Sequence, residues 1–109
     1  MSTQPEVREN TAEQRFEIWV DGELAGFTTY EEHGSRLSFM HTEIDGRFGG
    51  RGLGSILIRE TLDAVRARGG EVLPYCPFVK AFILKHPDYL DLVPVSRRAT
   101  FDLPDPGES

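Results

Sequence analysis

Gly49-Gly50-Arg51-Gly52-Leu53-Gly54-Ser55 marks the point at which the hydrophobic period of this 109-residue chain changes. Before it, Arg36 to Ile44 alternates as a strand does, which puts Phe39, His41 and Glu43 on one face and Met40, Thr42 and Ile44 on the other. After it, Ile58, Leu62 and Val65 recur at helical spacing beside a second row of Leu53, Leu57 and Ala64, with Arg59, Asp63 and Arg66 opposite. This amphipathic helix stops at Gly69-Gly70, and Glu71 to Tyr75 follows as a short strand. A strand, a glycine loop, a helix and a second strand make a crossover, so the two strands should lie parallel in one sheet.

Upstream of this unit the pattern is a meander. Phe16, Ile18 and Val20 alternate with Glu17 and Trp19, and Asp21-Gly22 is a two-residue hairpin signal that returns Glu23 to Tyr30 antiparallel. Glu31 to Ser35 reads as a second turn. Downstream, Pro77 at a first helical position and Pro87 bracket a helix over Pro77 to His86. The predicted fold is therefore α/β (α+β), one mixed, mostly antiparallel sheet with a strand-helix-strand crossover and packed helices. The domain is expected over 15–93. Residues 1–14 carry almost no large apolar side chain and 94–109 end in a Pro- and acid-rich stretch, so both are expected to be flexible tails.

Bulk chemistry excludes several function classes. With 18 acidic against 12 basic residues and a net charge of −6, the whole-molecule field repels a phosphate backbone, so no nucleic-acid partner is expected. The lone Cys76 excludes an internal disulfide, and His33, His41 and His86 lack metal-ligand spacing, so no metal is expected. The polar first ten residues contain no apolar run for a signal peptide or a membrane span, which points to a cytoplasmic, reduced protein with no membrane partner.

The glycine loop carries the strongest chemical signal. Between a strand and a helix start, successive N–H groups lack intrahelical acceptors, and glycine lets the main chain approach an anion closely at the positive end of the helix dipole. A pyrophosphate suits Gly50, Arg51, Gly52, Leu53, Gly54 and Ser55; a flexible glycine turn with no ligand is the alternative. A nucleotide-hydrolysing P-loop is excluded because the stretch has no lysine, and the dinucleotide fingerprint fails because Ser55 stands at its third glycine.

An antiparallel meander followed by Gly-x-Gly into a helix, a parallel strand and another helix resembles the GCN5-related N-acetyltransferases. Their cofactor motif, Arg/Gln-x-x-Gly-x-Gly/Ala, is matched at its end by Gly52-Leu53-Gly54, while Gly49 stands where Arg or Gln is expected. More closely, His41-Thr42-Glu43-Ile44, Gly50-Arg51-Gly52-Leu53-Gly54, Pro74-Tyr75-Cys76-Pro77-Phe78-Val79 and His86-Pro87-Asp88-Tyr89 look like the minimal, YjdJ-like branch of that family. The resemblance spans about Phe16 to Val93. It implies that acetyl-coenzyme A lies in a cleft between the two parallel strands where they splay. The pyrophosphate would then meet the loop, and the pantetheine amides would pair with main-chain groups near Glu43 and Ile44. Arg47 and Arg51 could neutralise its phosphates. The Asn and Tyr of larger relatives are missing from Lys80 to His86.

Acyl transfer to an amine needs a neutral amine, a polarised thioester and a proton for the departing thiolate. Cys76, before Pro77 at a helix start, is the candidate nucleophile or acid; His41 is the candidate base and Glu43 its neighbour on the strand, all three expected to face one cleft. Each has a plainer reading, Cys76 as a small buried hydrophobe, His41 as a structural residue and Glu43 as an exposed strand carboxylate. Two functions follow. One is an acetyl-coenzyme A-dependent N-acetyltransferase acting on a primary amine of a small molecule, polyamine or protein lysine; the other is a non-catalytic acyl-coenzyme A binder or interaction module. A chain this short has little with which to wall in an acceptor, so that site should be open, shallow or completed by a protein partner.

Overall fold

The structure is a computed structural model that describes residues 4–104. Its strands are β1 (Glu6–Asn10), β2 (Arg15–Val20), β3 (Glu23–His33), β4 (Arg36–Ile44) and β5 (Glu71–Pro74), and its helices α1 (Leu53–Ala67), α2 (Pro77–Lys85) and α3 (Val95–Arg98). The five strands lie in sequence order, antiparallel except for the β4–β5 pair, which α1 connects. The sheet is thus the mixed, mostly antiparallel one expected, matching the predicted fold class. Among the described residues no helix is long and apolar enough to cross a membrane.

Local chemistry explains the connections. Asp21 and Gly22 both take positive φ, 51° and 79°, as the tightest hairpin turn requires. At the end of α1, Gly69 is left-handed at φ 71°, and the N–H groups of Gly70 and Gly69 donate to the carbonyls of Val65 and Arg66, closing the helix as a Schellman motif. The second turn is tighter than expected, because β3 runs on to His33 and only Gly34-Ser35 turns the chain.

One face of the sheet is covered. Phe16, Ile18, Tyr30 and Phe39 pack there against Leu57, Ile58, Leu62 and Val65 of α1 and Val79 and Ile83 of α2, all buried in one core. The other face is open to solvent, where the Arg15 guanidinium lies 4.6 Å from the Phe27 ring centre and Glu17 is enclosed by neighbours. Burial pushes the Glu17 carboxyl up, but hydrogen bonds donated by Arg15, Asn10 and Trp19 outweigh it and hold the group below its usual range.

Two sequence expectations need correction. Composition predicts flexible tails over 1–14 and 94–109; residues 1–3 and 105–109 lie outside the described residues, but most of the rest is built into the fold. β1 extends the sheet by pairing with β2, which takes main-chain hydrogen bonds rather than large apolar side chains, and Glu9 accepts from the Tyr30 hydroxyl and from Arg68. At the other end Phe101 and Leu103 are buried, and the Phe101 ring meets Tyr75 edge-on at 5.0 Å. A few apolar residues suffice when they cover a core that already exists.

The second correction concerns β4. Tyr30 pairs with Phe39 and Thr29 with His41, so Met40 is an extra residue bulged out of the ladder. A one-residue bulge reverses the faces of everything beyond it. Thr42 and Ile44 therefore join Phe39 on the helix-covered face, and His41 and Glu43 turn to the open one.

Candidate functional site

The two parallel strands separate. β4 and β5 pair from Arg36/Glu71 to Phe39/Pro74, and the Cys76 N–H adds one last bond to the Phe39 carbonyl at 2.7 Å. β4 then continues from Met40 to Ile44 with no strand on that edge, so one row of its main-chain groups faces a gap between β4 and the start of α2.

The glycine loop closes one end of the gap. Gly50 and Gly52 have φ of +80° and +71°, conformations that residues with a Cβ rarely take, and Gly52 is the N-cap of α1. No side chain caps this end and no acid sits in the first turn. Among the described residues no protein acceptor serves the N–H groups of Gly50 through Ser55. With Ile44, Phe48 and Phe78 the loop surrounds a cavity of about 240 Å³. Leu53 points its side chain into the core and offers the cavity only its backbone. Arg51 lies 5.4 Å from the Phe48 ring centre without a carboxylate partner among the described residues. Arg47 is engaged elsewhere: its backbone N–H and guanidinium donate to Asp45, holding that carboxyl below its usual range, and Glu23 lies 3.7 Å away.

Cys76 stands at the other end, at the N-cap of α2, and its side chain is buried. Its Sγ is 3.2 Å from the Thr42 hydroxyl, which is 2.9 Å from the hydroxyl of the fully buried Thr28. The structure thus joins Cys76 to Thr42 rather than to His41. His41 Nε2 and Glu43 Oε1 are 3.2 Å apart, as their spacing suggested, but both are exposed on the sheet face away from Cys76. The bulge at Met40 is the reason. Sequence reasoning missed Thr28, Thr42 and Phe78; only three consecutive buried residues, Leu37 to Phe39, break the alternation, and the burial itself is a tertiary fact.

The arrangement offers an open strand edge on which extended amides can pair, a cradle of free N–H groups suited to a phosphate-bearing ligand, and a buried thiol where the two strands part. A family model described as GCN5-related N-acetyl-transferase matches residues 15–92. Among solved structures the chain is similar to the NMR solution structure of a GCN5-like protein from Staphylococcus aureus, with a TM-score of 0.64 and 23% identity over 86% of this chain and 91% of that one. That likeness concerns the fold. Shorter similarities reach nourseothricin acetyltransferase, at 29% identity over 53% of this chain and 36% of that one with a TM-score of 0.44. A GNAT-family acetyltransferase from Streptococcus pneumoniae is similar at 20% identity, 56% and 40% coverage and a TM-score of 0.42. No curated protein matches the chain.

Proposed function

Because this chain belongs to the GCN5-related N-acetyltransferase family, we propose that it is a cytoplasmic enzyme of the minimal branch that transfers the acetyl group of acetyl-coenzyme A to a primary amine. The amine would be that of a small molecule, a polyamine or a protein lysine. The observation that carries this reading is the parting of β4 from β5 beyond Phe39/Pro74, between a glycine cradle at one end and Cys76 at the other.

The donor supplies a thioester. The protein's part is to hold it and to manage two protons. The N–H groups of Gly50 to Ser55 and the Arg51 guanidinium offset the pyrophosphate charge, and the free edge of β4 at Met40 to Ile44 aligns the pantetheine arm as an added strand would be aligned. On the helix-covered side of the gap, Cys76 Sγ, fixed by Thr42, holds a proton for the departing sulfur. On the open side, His41 oriented by Glu43 takes the proton that the amine sheds. The bulge therefore divides acid and base between the two sides of the gap, and the acceptor comes from the solvent-exposed sheet face. Glu43 also borders an open depression of about 440 Å³ there, roomy enough for a flexible amine and shallow enough to want a partner's surface.

Thiol release from acetyl-coenzyme A, followed across polyamines, small amines and lysine peptides, tests the reading. Turnover is expected with at least one class. Micromolar coenzyme A binding with no release for any amine would instead support a non-catalytic binder.

A further inference from the structure

Thr28 is fully buried in β3, opposite Thr42 of β4 in the strand register, and its hydroxyl oxygen lies 2.9 Å from that of Thr42. The Thr42 hydroxyl in turn reaches Cys76 Sγ at 3.2 Å. Among the described residues the two hydroxyls and the sulfur have no other hydrogen-bond partners. They form a chain with two links and three hydrogens, so one hydrogen is left over. Resting on the reading in which Cys76 protonates the departing sulfur, we propose that Thr28 is a positioning residue. It fixes the direction of this chain, from Thr28 to Thr42 to sulfur, and so leaves the thiol hydrogen free for the leaving group.

The direction follows from burial. If the sulfur donated to Thr42 and Thr42 to Thr28, the hydrogen left over would be that of Thr28, and a fully buried hydroxyl donor without an acceptor is costly. If Thr28 and the sulfur both donated to Thr42, the hydrogen left over would again belong to a hydroxyl. Only the direction from Thr28 to sulfur uses both hydroxyl hydrogens, and it leaves over the S–H, the weakest donor of the three. The sulfur then accepts from Thr42 and its own hydrogen is turned away from the threonine pair. In the transfer step that hydrogen passes as a proton to the sulfur of coenzyme A. The S–H bond of Cys76 breaks and one forms at the leaving group, using the electron pair released from the broken C–S bond of the thioester. Cys76 is left as a thiolate that keeps the hydrogen bond donated by Thr42, and water returns its proton before the next turnover. Thr28 acts through Thr42 and Cys76 and touches no reacting atom.

Cys76 is the sole cysteine, so the protein has one S–H oscillator, and a thiol that donates a hydrogen bond absorbs at lower frequency than one that does not. Infrared spectra of the protein alone are expected to show the single band of a non-donating thiol in the wild type and in Thr28→Ser. Thr28→Val should add a lower-frequency component, because Thr42 is then free to accept from the sulfur. Turnover should divide the variants in the same way: Thr28→Val lowers kcat roughly tenfold, less than loss of the donor itself, with KM for acetyl-coenzyme A unchanged, and Thr28→Ser keeps the wild-type rate. A merely structural Thr28 would change stability and leave the band and kcat where they are. A wild-type band already at the lower frequency, or a Thr28→Val protein with the wild-type band or the wild-type kcat, overturns the role of Thr28 while acetyl transfer stands. A wild type that turns over no amine overturns the acetyl-transfer reading and this role with it.

Discussion

Cys76→Ala is expected to lower turnover by about 10²- to 10⁴-fold, the span of a well-placed proton donor, while coenzyme A affinity changes by less than about twofold, roughly 0.4 kcal/mol. The separation follows from position. Cys76 lies at the narrow end of the gap, and the contacts proposed to hold the cofactor come from the free edge of β4 and from Gly50 to Ser55. The substitution removes one buried sulfur, and the Thr42 hydroxyl keeps Thr28 as a partner, so no polar group is orphaned and the fold should lose only about 1 kcal/mol. Cys76→Ser separates two chemistries. If Cys76 only protonates the leaving sulfur, the serine variant keeps part of the rate and no acetyl group appears on the wild-type protein. If Cys76 carries the acetyl group, mass spectrometry of the wild type with acetyl-coenzyme A alone finds it there. Wild-type rates in Cys76→Ala would make the thiol a packing residue and leave His41 and Glu43 as the chemical candidates.

Valine at Gly52 or Gly54 should each cost at least tenfold in coenzyme A affinity, about 1.4 kcal/mol, for different reasons. Gly52 is left-handed at φ +71°, and a Cβ there meets nothing within 4 Å, so the cost is backbone strain of about 1–3 kcal/mol that pulls the N-cap and its free N–H groups out of line. At Gly54 a Cβ would lie 2.4 Å from Phe78 Cζ, so the side chain would displace the ring that lines the glycine-loop cavity. Sequence reasoning expected a Cβ at either position to obstruct the phosphate itself. The structure assigns the obstruction to conformation in one case and to Phe78 in the other, which makes the cases separable: Phe78→Ala should restore binding to Gly54→Val and do nothing for Gly52→Val. Unchanged affinity in both valine variants would remove the pyrophosphate from this loop.

The architecture was legible because its signals are local. Asp21-Gly22, the change of period across Gly49 to Ser55, the stop at Gly69-Gly70 and Pro77 are each set by backbone preferences of the residues themselves, and together they specify the meander and the crossover. The free N–H groups of the loop were legible for the same reason. The faces of β4 were not, since a bulge at an ordinary Met40 leaves no mark in an alternating strand, yet it decides on which side of the sheet His41 stands. The hydroxyl pair beside Cys76 was hidden too, because Thr28 and Thr42 are 14 residues apart and meet only through strand register. Both ends were misread because composition measures what a segment can bury alone, whereas β1 and Phe101 add to a core built by others.

The proposed place of coenzyme A is the gap where β4 leaves β5, with its pyrophosphate on the glycine loop. Titration of the protein with coenzyme A, followed through backbone amide resonances, reads both parts of this placement at once. Saturable shifts are expected at Met40 to Ile44 and Gly50 to Ser55, with β1 and β2 unmoved. Saturating coenzyme A that leaves those two segments unshifted, or that shifts only the open face of the sheet, would contradict it.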